Sequence, residues 1–145
     1  MKVKLSQNLK FHIMRLFILS VKMLLFFSHN LDDNQIQSAK NDLGISEFVT
    51  LPGHIQSKWS NVPADLADLN AYSSDFKEFL NQNSRPNDIA LIQGDFGLSY
   101  IMINYAKSLG LHAVYATTRR ISKEKIINGK TIKESVFEHV RFRQF

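Results

Sequence analysis

Asp88-Ile-Ala-Leu-Ile-Gln-Gly-Asp-Phe-Gly97 is the stretch that decides the fold of this 145-residue chain. Ile89 to Ile92 form a short apolar run, which is typical of a strand buried on both faces of a parallel sheet. The run breaks into a turn that carries Gly94 and Gly97, and a helical sequence follows. A helix N-terminus at the end of a strand offers free N–H groups and a positive dipole end to an anion. We therefore expect the turn from Gln93 through Asp95 and Phe96 to Gly97 to form one wall of a binding site.

The rest of the chain alternates between strand and helix patterns. We expect strands at 23–27, 47–51, 89–92 and 112–116, helices at 35–43, from Pro63 to Leu80 and at 97–109, and a helical turn at 55–59. The helix at 97–109 is apolar nearly all round and should be well buried. The dipeptide Asn128-Gly129 predicts a C-terminal hairpin between the segments 121–127 and 131–142. This order predicts an α/β fold with a mostly parallel sheet, helices on both faces and a C-terminal β-hairpin.

One domain is expected, covering residues 23–145. The stretch from Phe11 to Phe27 is apolar, but Arg15 and Lys22 interrupt it, and about 20 predominantly apolar residues are needed to span a bilayer. Residues 1–22 are therefore interpreted as an upstream extension, with Met23 as the natural start of the domain.

Charge is distributed unevenly along the chain. Residues 23–118 carry five basic against ten acidic residues, whereas residues 119–145 carry eight basic against three acidic residues. A basic C-terminal segment could hold a phosphate-bearing partner. The alternative, that these are solvated side chains on a hairpin, has equal weight at this point. The chain contains no cysteine, which excludes disulfides and thiolate metal sites.

Polar residues follow three of the predicted strands. Because the carboxyl ends of parallel strands share one edge of a sheet, we expect these clusters to converge. Arginines and hydroxyls suit phosphate oxygens, and a histidine could move a proton. Asp95 could instead only cap a helix, and the arginines could only solvate the hairpin. The three clusters are Ser28, His29 and Asn30; Gln93, Gly94 and Asp95; and Thr117, Thr118, Arg119 and Arg120.

Several site types are disfavoured. The spacing of Gly94 and Gly97 matches neither the dinucleotide fingerprint nor a phosphate-cradling P-loop. The five histidines show no pairing at metal-ligand spacing, and Ser99 lacks the glycines of a nucleophile elbow. We expect no metal and no cofactor.

Four motifs together resemble a known family. They are Met23-Leu-Leu-Phe-Phe-Ser-His29, Leu91-Ile-Gln-Gly-Asp-Phe-Gly97, Ala116-Thr-Thr-Arg119 and Phe137-Glu-His-Val-Arg-Phe-Arg143. As a set, over residues 23–145, they resemble the Csx-twenty family, small CRISPR-associated proteins of type III systems that are grouped with ring nucleases.

The resemblance implies a Rossmann-like, CARF-like fold and a homodimer that holds a cyclic oligoadenylate messenger across its two-fold axis. It implies metal-independent cleavage of the ring, with cyclic tetra-adenylate as the expected substrate. A ribose 2′-hydroxyl would attack the adjacent phosphate and leave a 2′,3′-cyclic phosphate. From their positions, Arg119 would then stabilise the phosphorane, His29 would move a proton or orient the hydroxyl, and the Gly94–Gly97 turn would hold phosphate or ribose.

Two other functions stay open. A protein of the same fold could bind the messenger as a sponge or sensor without cutting it, because both functions need the same phosphate contacts. A general RNA-binding protein that uses the basic hairpin is the more distant alternative. We expect a cytoplasmic protein with neither DNA nor a membrane as its partner.

Overall fold

The computed structural model of the chain describes residues 20–145, together with the single residue 7. In chain order its elements are β1 (Val21–Phe26), α1 (Asp33–Leu43), β2 (Ile45–Thr50), α2 (Gly53–Ser60), α3 (Ser74–Asn83), β3 (Ile89–Ile92), α4 (Phe96–Ser108), β4 (His112–Ile127) and β5 (Lys130–Gln144). The predicted α/β class is confirmed. The upstream extension predicted for residues 1–22 lies almost entirely outside the described residues, and β1 begins at Val21, two residues before Met23.

The five strands form one sheet in the order β2-β1-β3-β4-β5. The first four strands are parallel, and β5 pairs antiparallel with β4, which fits the expected C-terminal hairpin. At the tip of the β4–β5 pair, Asn128 and Gly129 have φ angles of 50° and 75°. Positive φ at both central residues is what a two-residue turn with the twist of its flanking strands requires.

Side chains alternate between the two faces of the sheet and build two apolar layers. On one face, Leu24, Phe26 and Ile92 pack with residues of α2, α3 and α4. On the other face, Met23 and Leu25 pack with Ala39 of α1 and with Phe142. The prediction of helices on both faces is therefore confirmed, and within residues 20–145 three helices lie on one face and one on the other. Among the helices of residues 20–145, none has the length and apolar run needed to cross a membrane.

The predicted helix from Pro63 is wrong over its first half. Helix α3 begins only at Ser74, and residues 61–73 form turns. Short polar side chains there bind nearby backbone groups: the Asp68 carboxylate accepts from the N–H of Asn70 (2.6 Å), and the Ser73 hydroxyl donates to the Asn70 carbonyl (2.6 Å). Such local bonds compete with helix formation.

The predicted end of the fourth strand at Ala116 is also wrong. Strand β4 continues to Ile127 because its pairing with β5 continues beyond the end of β3. The register shifts by one residue after Thr117, which leaves Val140 as the extra residue of a β-bulge. We call residues 118–139, the part of the β4–β5 pair beyond this bulge, the arm.

The composition of helix α4 suggested that the helix is buried on all sides, but the structure shows that it is not. Its buried residues, Leu98, Met102 and Ala106, recur every four positions and form a single stripe. Phe96 and Tyr100 lie on the side away from this stripe and are exposed.

Candidate functional site

The sheet has a topological switch point between β1 and β3. After β1 the chain passes through α1 to the edge strand β2, and after β3 it passes through α4 on the opposite face to β4. The Gln93 N–H donates to the Phe26 carbonyl (2.9 Å), so the ends of the two strands are held side by side. In open α/β sheets, ligands bind in the crevice outside the carboxyl ends of the strands at such a point.

The loop after β1 forms one side of this crevice. Ser28, His29 and Asn30 are all exposed, and they line a cavity of about 480 Å³. The His29 ring meets the Phe27 ring edge-on, with 5.5 Å between their centroids, so a rigid apolar neighbour orients the imidazole. The Gln56 amide of α2 donates to the Phe27 carbonyl (2.9 Å) and secures the end of β1.

The turn after β3 is fixed from both sides. The Trp59 indole donates to the Gln93 carbonyl (3.2 Å), and the Gln93 side chain accepts from the N–H of Ala116 (2.9 Å). The side chain of Gln93 thereby continues the sheet by bonding β4 where β3 has ended. Gly94 lies so close to Trp59 that an added Cβ would be 2.9 Å from its ring. The turn is therefore held in one conformation by the core, and the side-chain oxygen of Gln93 already has a hydrogen-bond donor within the protein.

Asp95 caps helix α4. Its carboxylate accepts from the N–H of Leu98 (2.9 Å) at the start of the helix. This matches the interpretation of Asp95 as a helix cap. A phosphate approaching the same helix end would meet this negative charge, so the helix N-terminus is occupied by the chain itself.

A second, larger depression lies on the α4 side of the sheet. It has a volume of about 630 Å³ and is lined by Gln93, Gly94, Phe96, Tyr100, Tyr115 and Phe145, among others. We call it the aromatic groove. The Tyr115 and Phe145 rings contact each other with centroids 4.8 Å apart, and Phe96 is 96% exposed. Gln93, Gly94 and Phe96 thus face this groove, whereas Ser28, His29 and Asn30 line the other cavity.

The third predicted cluster lies on and beside the arm. The Thr117 hydroxyl donates to the Arg141 carbonyl (2.9 Å) next to the bulge, and Arg120 donates to the Ser135 hydroxyl (3.0 Å). Thr118 and Arg119 are exposed, and Arg119 stands opposite Glu138 in the register. Among the residues described, none of Thr117 to Arg120 lines the cavity of His29 or the aromatic groove. The predicted convergence is therefore incomplete: two clusters flank the switch point, and the third projects beyond it.

His139, at the base of the arm, has both ring nitrogens buried and without a hydrogen-bond partner. Its ring contacts Phe142 with 4.7 Å between centroids. Burial lowers the pKa of His139, and the carboxylates of Asp32 and Asp42 oppose that shift.

Several site residues were missed at the sequence level. Trp59 and Gln56, which fix the strand ends, come from a segment interpreted only as a helical turn. Tyr100 and Lys107 line the groove with Phe96, and their spacing of four and seven residues along one helix could have revealed a shared face. Within residues 20–145, no three His, Asp or Glu side chains come together as a metal site would need.

Comparison with known proteins places this architecture in a family. A family model described as the uncharacterized protein MJ1673 family matches residues 21–143. A protein from Methanocaldococcus jannaschii described as uncharacterized protein MJ1673 is 46% identical over 124 residues, which is 86% of this chain and 96% of that protein. No solved structure matches the chain.

Proposed function

Since this chain belongs to the uncharacterized protein MJ1673 family, whose name carries no activity, we propose its function from its site and its resemblance to Csx-twenty proteins. The protein binds cyclic oligoadenylate, with cyclic tetra-adenylate as the ring, and cleaves it to linear di-adenylate. In this role it switches off type III CRISPR signalling in the cytoplasm. The fold is then a Rossmann-like domain of the CARF type.

The observation that carries the proposal is the position of Ser28, His29 and Asn30. These exposed polar residues follow β1, one of the two strands at the switch point where sheets of this kind bind nucleotides and related ligands. They line a cavity between the ends of β1 and β2. The cavity, at about 480 Å³, is of the size that holds one drug-sized ligand. A ring of four nucleotides exceeds it, which supports a ligand shared between the two copies of a homodimer.

The proposed chemistry is an internal transesterification. The ribose 2′-oxygen forms a bond to the adjacent phosphorus, the bond from phosphorus to the 5′-oxygen breaks, and the proton lost by the 2′-hydroxyl is balanced by one gained at the 5′-oxygen. No water is consumed, and two such cuts turn one ring of four into two linear di-adenylates that end in 2′,3′-cyclic phosphates. His29 is the group that moves the proton, and Arg119 supplies positive charge to the phosphorane.

One observation favours the sponge or sensor as a second candidate. Arg119 stands on the β4–β5 ribbon beyond the end of β3, and Asp95 places a carboxylate at the helix terminus that would otherwise receive phosphate. A protein that only sequesters the messenger needs contacts to its phosphates but no cation positioned at a phosphorane.

The test is incubation of the purified chain with radiolabelled cyclic tetra-adenylate in the presence of EDTA. We expect linear di-adenylate with a 2′,3′-cyclic phosphate. Tight binding with an intact ring would select the sponge. Weak binding of the ring together with salt-sensitive binding of ordinary single-stranded RNA would select the general RNA-binding protein.

A further inference from the structure

The arm carries most of the exposed large apolar side chains of the described chain. Six of the ten lie on it or at its bulge: Ile126, Ile127, Ile132, Val136, Phe137 and Val140. A two-stranded ribbon that packs on nothing is marginally stable in water. Side chains of this kind on such a ribbon indicate a surface that is covered in the working protein.

The alternation of side chains separates the two faces of the arm. Residues directly opposite each other share a face, and the register pairs Ile121 with Val136, Lys125 with Ile132, and Ile127 with Lys130. The ion pair between Lys125 and Glu134 (2.6 Å) joins two residues of this same face. This face therefore carries four apolar side chains among six charged ones, which are Arg119, Lys123, Lys125, Lys130, Glu134 and Glu138. The apolar stripe is formed by the half-buried Ile121 and by Ile127, Ile132 and Val136, whereas Ile126 and Phe137 lie on the other face.

The aromatic groove lies on the same side of the sheet. Because the extra residue of the bulge is in β5, side chains along β4 alternate between the two faces without interruption. Ile121 and Ile127 therefore lie on the same face of β4 as Tyr115. The groove remains open in a single chain, with Phe96 at 96% and Tyr100 at 69% exposure. Phe96, Tyr100 and Phe145 account for three of the four other exposed large apolar side chains.

We infer that the striped face of the arm of one copy packs into the aromatic groove of a second copy, and that the second copy returns the same contact. The inference deepens the homodimer of the proposed function by naming its surfaces. A two-fold pair makes every contact twice, so one complementary arm and groove suffice for a closed dimer.

Charge supports a second copy as the occupant. Residues 118–139 carry six basic against three acidic residues, whereas residues 20–117 carry six basic against ten acidic residues. Two arms repel each other, but an arm is attracted to the body of another copy.

The size of the arm fits this arrangement. Ten residue pairs extend about 33 Å, and a two-stranded ribbon is about 10 Å wide, which gives one face of roughly 330 Å². A standard interface buries about 1,600 Å² in total. Shared equally among the two arms and the two grooves of the dimer, this is about 400 Å² for each surface. The two reciprocal contacts are therefore of the size that a stable dimer needs.

The experiment measures mass in solution by sedimentation equilibrium, without any nucleotide. We expect wild type at twice 16.7 kDa. The double variant Ile132→Glu and Val136→Glu places two carboxylates in the stripe and should raise the dimer dissociation constant at least a hundredfold. The matched control, Ile126→Glu and Phe137→Glu, adds the same charge to the other face of the arm and should stay dimeric. Phe96→Asp tests the groove and should also give monomers, and far-UV circular dichroism confirms that each variant is folded.

A photo-crosslinker at position 132 then identifies the contacted surface. A crosslink to a peptide of α4 in the second copy is expected. A monomeric wild type, equal dissociation by the two double variants, or a crosslink from arm to arm would each overturn the inference. Because no outcome depends on cyclic oligoadenylate, failure of the dimer surface and failure of the nuclease proposal are distinguishable.

Discussion

The Trp59 indole occupies the space that a side chain on residue 94 would need. A Cβ on Gly94 would lie 2.9 Å from both Cε2 and Nε1 of the ring, and that Nε1 also donates to the Gln93 carbonyl. The ring itself is buried against Phe26 and Phe76, with centroids 5.3 Å and 5.4 Å away. The turn that ends β3 is thus held by a rigid core side chain from the preceding half of the chain.

Gly94→Ala should destabilise the protein. The Trp59 ring is packed on its other sides and cannot retreat, so the added methyl forces the turn or the ring to shift, at a cost of about 1–3 kcal/mol. Urea denaturation measures this change. Gly53→Ala is the control, because nothing lies within 4 Å of its added Cβ. It should be neutral or slightly stabilising; an equal loss in both variants would contradict the role given to Trp59.

Asp95→Ala should lower the free energy of unfolding by about 0.5–2 kcal/mol, because the N–H of Leu98 loses its acceptor. Asp95→Asn keeps an acceptor oxygen and should retain most of the stability. Since Asn carries no negative charge, we expect it to bind cyclic tetra-adenylate at least as tightly as wild type does. Equilibrium dialysis with the labelled ring checks this expectation. Loss of binding in Asp95→Asn would mean that the carboxylate itself contacts the ligand.

The sequence predicted those elements whose local pattern and tertiary setting agree. Ile89 to Ile92 reads as a buried strand and is one, and Asn128-Gly129 turns the chain because its two residues adopt positive φ. The prediction of a helix from Pro63 was wrong because it used only the spacing of apolar residues. That spacing does not reveal side-chain hydrogen bonds such as the one from the N–H of Asn70 to Asp68. The end of β4 was predicted wrongly for a different reason. The polar run from Thr117 is typical of the end of a strand. Thr117, however, pairs with Arg141, 24 residues further along the chain, and the pairing with β5 extends β4 beyond this point.

For the candidate site, the sequence predicted which polar residues follow the strand ends, but it did not predict how their side chains are arranged. The clusters after β1 and β3 follow from the rule that strand ends share an edge. The side-chain oxygen of Gln93, however, already accepts a hydrogen bond from the N–H of Ala116, and no pattern in the sequence predicts that bond. The exposed face of α4 was missed because Phe96 and Tyr100 are apolar, and an apolar residue at helical spacing is normally interpreted as core.

Substitutions at His29 and Arg119 test the roles proposed for these residues in cleavage. His29→Ala removes the group proposed to move a proton and should lower kcat by about 10²–10⁴, with a much smaller change in KM. Single-turnover cleavage of labelled cyclic tetra-adenylate measures the chemical step. His29→Gln should not restore the rate, since it can donate a hydrogen bond but cannot take up the proton.

Arg119→Ala removes the charge proposed to stabilise the phosphorane and should lower the rate of cleavage by about 10²–10³. It should also flatten the salt dependence of binding by about one phosphate contact. Lys40→Ala, which removes one exposed charge from α1, serves as its control and should leave both quantities unchanged. Wild-type rates and affinities in both the His29 and the Arg119 variants would discard this assignment of roles.

Acidification should destabilise the fold through His139. Burial lowers the pKa of His139 in the folded protein, so the folded state binds the proton less tightly than the unfolded chain, whose histidines titrate near pH 6.5. Above about pH 6.5 the ring is neutral in both states and its contribution is fully present. As the pH falls below that value the unfolded state takes up the proton first, and stability is lost. Thermal melts at pH 7.5 and 5.5, at one protein concentration, should show a smaller loss for His139→Phe and His139→Gln than for wild type. The two variants differ in how well they fill the space beside Phe142, so their stabilities at pH 7.5 can differ while their pH dependence agrees. A loss as steep as that of wild type in both would show that other groups govern the acid transition.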